Sequence, residues 1–144
     1  MFRRLTVALL LVLSGCSGPP EPGAGAALEV TDARVRTPVP GQDRTAGYFT
    51  ARNPGDAAVT IRGARSDAAE AVEIHESRRE GDRMRMVPLD EVVVAPGEAV
   101  RFEPGGKHLM LLGIEQLGES VEIVLEHDGG ETLVRFETVP VGGE

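Results

Sequence analysis

From Leu28 onward the chain is written largely in a period of two, apolar and polar positions alternating over short stretches. Leu28-Glu29-Val30-Thr31-Asp32-Ala33-Arg34-Val35-Arg36 largely follows that alternation, as a half-buried strand does. Thr37-Pro38-Val39-Pro40-Gly41 interrupts it, and Ala46 to Arg52 makes a second strand through Tyr48 and Phe49. Asn53-Pro54-Gly55-Asp56 is a strong turn signal, and the stretch from Ala57 to Gly63 alternates again. Further strand-like runs are Val72 to Glu76, Met84 to Val87, Val92 to Val94, Ala99 to Phe102, His108 to Leu112, Val121 to Leu125 and Thr132 to Thr138. Only Ser66 to Ala71 could hold a helical turn. About nine short strands with turn signals between them predict an all-β fold, an antiparallel β-sandwich of Greek-key type. Tryptophan is absent and aromatics make up 3% of the chain, so aliphatic residues must supply most of the core.

Ahead of this pattern lies a segment of different character. Arg3 and Arg4 form a basic head, followed by an apolar stretch from Leu5 to Leu13. As a helix that stretch would cover only about 14 Å, roughly half the hydrocarbon core of a bilayer, so it reads as a signal segment and not as a membrane span. It ends in Leu13-Ser14-Gly15-Cys16, which resembles a bacterial lipobox. That resemblance implies a signal peptide over residues 1–15 and lipidation of Cys16, whose two or more acyl chains would make a stable membrane anchor. Residues 16–27, rich in Pro, Gly and Ala, cannot bury enough surface to fold and are expected to be a flexible tether. A single domain is expected over residues 28–141, with a short tail at 142–144.

Charge and cysteine count narrow the function. Without Arg3 and Arg4 the chain holds 13 Lys+Arg against 23 Asp+Glu. Nucleic acid is a poor partner for such a surface, because phosphate binding needs clustered Lys and Arg. Cys16 is the chain's one cysteine, so the domain has no disulfide, no thiolate metal site and no cysteine nucleophile. No paired-carboxylate arrangement, Ser/His/Asp order or phosphate loop stands out, and an enzyme is not expected.

Chemistry concentrates in the second half. His75 is followed after ten residues by Met86, after a further twenty-one by His108, and then, past Leu109, by Met110. Imidazole nitrogen with neutral thioether sulfur suits Cu(I) and offers little to zinc, magnesium or calcium. Residues two apart on a strand share a face, so His108 and Met110 should point together while Leu109 and Leu111 enter the core. Met84 and Met86 obey the same rule, and Met84 could replace Met86 if the register differed by two. Ile74, beside His75, should face inward, and His127 falls in an expected surface turn. A blue-copper electron carrier is excluded, since such a site requires a cysteine thiolate.

The spacing of His75, Met86, His108 and Met110 resembles the signature of the periplasmic copper chaperones called PCu(A)C. Met84-Arg85-Met86, Pro96-Gly97 and Pro104-Gly105-Gly106-Lys107-His108-Leu109-Met110-Leu111 are similar to that family as well, as are Ala46-Gly47-Tyr48 and Arg52-Asn53. The resemblance implies a cupredoxin-like sandwich, Cu(I) as the bound metal, and His75, Met86, His108 and Met110 as its ligands. Together with the lipobox at Cys16, it implies a monomer that is exported and lipid-anchored to a bacterial membrane, on its periplasmic or outer face. Copper would pass to a respiratory-oxidase acceptor, the Cu(A) centre of cytochrome c oxidase, or to an intermediate thiol chaperone. Some family members carry a methionine directly after the first histidine, where this chain has Glu76. Copper buffering without a dedicated acceptor, or a lipoprotein scaffold that binds no metal, would fit the same anchored sandwich.

Overall fold

The computed structural model describes residues 28–142; Cys16, the signal segment and the tether expected at 16–27 lie outside the described residues. Ten strands account for most of the domain, one more than the roughly nine expected. They are β1 (Glu29–Arg36), β2 (Arg44–Arg52), β3 (Val59–Arg65), β4 (Ala71–Glu80), β5 (Arg83–Pro88), β6 (Val92–Val94), β7 (Ala99–Phe102), β8 (Lys107–Leu112), β9 (Ser120–His127) and β10 (Gly130–Val139). No helix forms at Ser66 to Ala71, only a turn. There the Ser66 hydroxyl donates to the Glu122 carbonyl (2.7 Å) and accepts from the Ala68 amide (3.3 Å), bonds that compete with a helical turn.

Hydrogen bonding runs β5-β4-β8-β7-β2-β1-β10-β9-β3-β6, with β8 also paired to β2 and β4 touching β3 through Ala64 and Val72. This Greek-key order makes the strands wrap around one core. Pairing is antiparallel except at β1–β10 and β7–β8, where neighbours run parallel. Since β1 and β10 are the first and last strands, no hairpin constrains them to opposite directions.

The core follows the alternation of each strand. Val35, Ile61, Leu109, Leu111, Ile123, Leu125 and Val94 are fully buried, so aliphatic side chains do dominate by number. At its centre, however, sit three phenylalanines. Phe49 stacks on Phe102 with ring centroids 4.1 Å apart and meets the edge of Phe136 at 5.7 Å. Such offset and edge contacts are favoured by the ring quadrupole.

One irregularity shapes the outer surface. β1 pairs Thr31 with Thr50 but Arg34 with Tyr48, so three residues of β1 advance against two of β2. The extra residue is accommodated at Asp32, whose φ of 55° is left-handed. This bulge inverts the parity of the strand. Val30 packs on the core before it, Ala33 and Val35 after it, and Arg34 and Arg36 turn to the side that bears Tyr48.

Candidate metal centre

β4 and β8 lie side by side in antiparallel register, and that register sets His75 directly opposite His108. Each histidine has its expected core-facing neighbour: Ile74 is 3% exposed and Leu109 0%. Both imidazoles therefore stand on the face turned away from the core, their ring centroids 5.9 Å apart and their planes at 64°. His108 is nevertheless buried, with the Tyr48 ring 6.5 Å away on the β2 side.

The hydrogen bonds at the two rings settle which nitrogen carries the proton. Nδ1 of His108 lies 3.1 Å from the Gly106 carbonyl, an oxygen that can only accept, so Nδ1 donates. Gly105 helps to make this possible: at φ 79° it tightens the turn into β8, from which the Gly106 carbonyl meets the edge of the ring. On β4, Nε2 of His75 donates to Glu73 Oε2 at 2.7 Å. Glu73 stands two residues before His75 and so shares its face. The remaining nitrogens, Nδ1 of His75 and Nε2 of His108, are buried and have no hydrogen-bond partner among the described residues. Each carries a lone pair. Buried nitrogens left without partners are uncommon and costly, and here both belong to one cross-strand pair.

The thioethers flank that pair. Met110, half-buried, lies opposite Glu73 on β4 and Ala46 on β2, one step along β8 from His108 on the same face. Met86 lies opposite Ser77 on β5, while Pro88 opposes His75 directly, so Met86 is the diagonal neighbour of His75. Met84 lies opposite Arg79, one further step away from the histidines, and the register is the one that favours Met86. Met86 and Met110 also line one cavity of about 610 Å³ together with Ala46, Arg36, Arg44 and Val39. The cavity lining includes neither imidazole.

Burial lowers the pKa of His108 below the ordinary 6.5; the bond to Gly106 opposes the shift and the proximity of His75 adds to it. His108 is thus held neutral, the form that can donate a lone pair to a metal. Glu76 has its own task. It occupies the opposite face of β4, bound to Lys107 (2.9 Å) and Arg78 (2.6 Å), and these partners hold its carboxyl below the usual range. A side chain at position 76 projects away from the histidine pair. His127 is not in a free surface turn: it closes β9, half-buried, with Nε2 bonded to the Thr132 hydroxyl and Nδ1 accepting from the Gly129 amide. Glu73, Gly106 and Tyr48 also neighbour the pair, and no motif in the sequence points to them as such. Glu73 could have been found by the two-residue rule that united His108 with Met110.

Comparison with known proteins follows the same lines. Residues 28–141 match the profile of the LpqE-like lipoprotein family. The lipoprotein Lxx21020 of Leifsonia xyli subsp. xyli is 28% identical over 143 residues, covering 92% of this chain and 85% of its own length. Among solved structures, the copper-bound PCuAC domain from PmoF2 superposes with a TM-score of 0.69 at 21% identity, over 81% of this chain and 96% of that domain. The solution structure of CuI-DR1885 from Deinococcus radiodurans shares 31% identity with a TM-score of 0.56, over 83% of this chain and 85% of its own. The chain belongs to the LpqE-like lipoprotein family, and its sandwich is the cupredoxin-like fold of PCuAC-type domains.

Proposed function

We propose that this protein is an extracytoplasmic Cu(I) carrier, with His75, His108, Met86 and Met110 as the copper ligands. One observation carries the reading: two buried imidazole nitrogens, Nδ1 of His75 and Nε2 of His108, bear lone pairs without partners on directly opposed residues. Thioethers stand on either side of them. A donor set of two neutral imidazoles and two neutral thioethers fits a soft d¹⁰ ion and leaves its charge of +1 unchanged. Copper in the matched PmoF2 domain and in CuI-DR1885 supports the same cargo. The protein is a binding protein and not an enzyme.

In this reading Cys16 carries the lipid, residues 16–27 are the tether, and the domain works on the outer side of a bacterial membrane as a monomer. Tethering raises its effective concentration near membrane-bound acceptors. The acceptor we favour is the Cu(A) centre of cytochrome c oxidase, reached directly or through a thiol chaperone.

The deciding experiment is an anaerobic competition for Cu(I) between the full-length protein in nonionic detergent and a chromophoric Cu(I) chelator. One tight equivalent is expected, weakened in each of His75→Ala, His108→Ala, Met86→Ala and Met110→Ala. No competition with the chelator would sink the copper reading. Loss of oxidase activity in a deletion strain, restored by added copper, is expected if the cargo is delivered rather than merely stored.

A further inference from the structure

The arginines of this acidic protein divide into two groups. Away from the histidine pair, Arg52, Arg62 and Arg65 are held by Glu29, Glu91, and Glu126 with Glu131. Arg34 and Arg36 are half-buried, yet among the described residues neither has a carboxylate within ion-pair distance. Both guanidinium groups lie instead over one ring, that of Tyr48, at 5.6 and 5.0 Å from its centroid. The other described arginines without an ion pair (Arg79, Arg83, Arg101 and Arg135) are exposed, where solvent compensates them.

A half-buried charge left without a counter-ion is unfavourable, and stacking on a ring offsets it only in part. With 23 acidic residues in the chain, counter-ions are not scarce. The bulge at Asp32 is what delivers both arginines to this side of β1. Tyr48, beneath them, is the residue whose ring neighbours His108. Arg36 continues into the wall of the cavity that Met86 and Met110 line, beside Arg44, which Asp43 partners at 3.8 Å.

We infer that the cationic surface of Arg34 and Arg36, beside the cavity that Arg36, Met86 and Met110 line, docks the copper acceptor, and that the acceptor is an acidic protein segment presenting thiolates. The inference rests on the copper-carrier reading and adds the partner's chemistry and the direction of transfer. The exchange opens on the methionine side. Met86 is 56% exposed and lines the cavity, whereas the imidazoles stand behind it. An incoming thiolate, its proton already released to water, forms a sulfur–copper bond as the Met86 thioether–copper bond breaks. A second thiolate then displaces Met110, and the imidazoles leave last. Copper remains Cu(I) throughout and no electron moves. Arg34 and Arg36 supply the positive charge that draws the acidic segment in and stabilises its thiolates as they approach.

The test uses copper-loaded full-length protein in nonionic detergent and two synthetic peptides, each with the same cysteine pair, one flanked by glutamates and the other by lysines. Stopped-flow transfer to the acidic peptide should be faster by about tenfold or more at low salt, and that advantage should vanish at high salt. Arg34→Gln with Arg36→Gln should abolish the preference for the acidic peptide, while Arg34→Lys with Arg36→Lys should keep most of it. Equal, salt-insensitive rates for both peptides in a protein that binds Cu(I) tightly would overturn the inference and spare the carrier reading. A protein that takes up no Cu(I) overturns both. Transfer accelerated by anionic phospholipid vesicles but indifferent to peptide charge would overturn it in favour of a lipid surface.

Discussion

His75 and His108 face each other across two antiparallel strands, and each imidazole is bonded through one nitrogen to its own strand's neighbourhood, leaving the other bare. The bare nitrogens are a liability in the metal-free protein. A buried polar atom without a partner costs about 1–3 kcal/mol. Replacing His108 by leucine removes such an atom and frees no other, because the Gly106 carbonyl keeps a second donor, the Ser77 amide at 3.0 Å. His108→Leu should therefore raise the stability of the metal-free protein by about 1 kcal/mol while lowering Cu(I) affinity at least about 100-fold. Urea unfolding of the metal-free variant beside a chelator competition reads both quantities. A variant that is less stable than wild type and equally tight for copper would remove His108 from the site.

Glu73 orients the first ligand without touching the metal. Its carboxylate accepts the Nε2 proton of His75, so the lone pair rests on Nδ1, which is the nitrogen turned into the site. Glu73→Ala should weaken Cu(I) binding by about 10–100-fold, the usual cost of losing a ligand's hydrogen-bond partner. Glu73→Gln, whose amide oxygen can still accept, should recover most of it. Long-range ¹⁵N spectra of the metal-free protein give an independent reading: the Nε2–H tautomer of His75 should dominate in wild type and in Glu73→Gln and be lost in Glu73→Ala. An unchanged tautomer in Glu73→Ala would count against this role.

The three methionines of the domain should separate cleanly. Met86 and Met84 are equally exposed at 56%, so exposure does not distinguish them, but register does. Met86 neighbours His75 diagonally, and Met84 lies a further step down β5, opposite Arg79. Met84→Leu should leave Cu(I) affinity within about threefold of wild type, while Met86→Leu and Met110→Leu should each cost about tenfold or more. Leucine retains the bulk, so a loss reflects the missing sulfur. Equal losses at positions 84 and 86 would mean that the hairpin slips by two residues when copper binds.

Much of this architecture was legible in the alternation of side chains, since strand periodicity dictates which residues share a face. The places of the strands, though not all their ends (β4 runs on to Glu80, past the expected Glu76), the inward turn of Ile74, Leu109 and Leu111, and the parity shared by His108 and Met110 all follow from a period of two. Register between distant strands does not. Nothing in the local sequence sets His75 opposite His108, because that pairing is fixed by how β4 and β8 meet after β5, β6 and β7 have been placed elsewhere. The bulge at Asp32 was hidden for a related reason: one extra residue inverts the strand's parity, so Arg34 and Arg36 turn to the side that alternation from Val30 would have given to Ala33 and Val35. His127 misled through its neighbours, since Asp128-Gly129-Gly130 marks a turn and the strand carries on up to it.

Asn53 tests the frame apart from the site. It is fully buried, and its side-chain amide donates to the carbonyls of Ala57 (2.7 Å) and Val94 (3.0 Å) while its oxygen accepts from the Gly55 amide (3.0 Å). Asn53→Ala leaves those groups short of partners and should cost about 3 kcal/mol of unfolding free energy. It lies seven residues along the chain from Ala46, roughly 23 Å in an extended strand, so copper affinity should be untouched in the folded fraction. A paired urea titration and chelator competition would show the two effects separated; a matching loss of affinity would tie this corner to the metal centre.

Proton competition gives the last prediction. The pKa of His108 is depressed in the folded protein relative to the ordinary 6.5, chiefly because burial disfavours the imidazolium. Below that ordinary value the unfolded chain binds the proton that the folded chain refuses, so stability rises with pH across the interval. The contribution is fully present above about pH 7, declines as pH falls through 6.5 and levels off only below the folded value. Unfolding midpoints of the metal-free protein should therefore drop between about pH 7 and pH 5, and His108→Leu should flatten the profile there. Cu(I) affinity should fall over the same range, since protons compete for Nε2 of His108 while thioethers do not protonate. Bound copper should in turn shift the loss of stability to lower pH, because the metal and the proton contend for the same lone pair. An affinity flat from neutral to mildly acidic pH would mean that the imidazoles are not ligands, and the copper would then have to be held by sulfur alone.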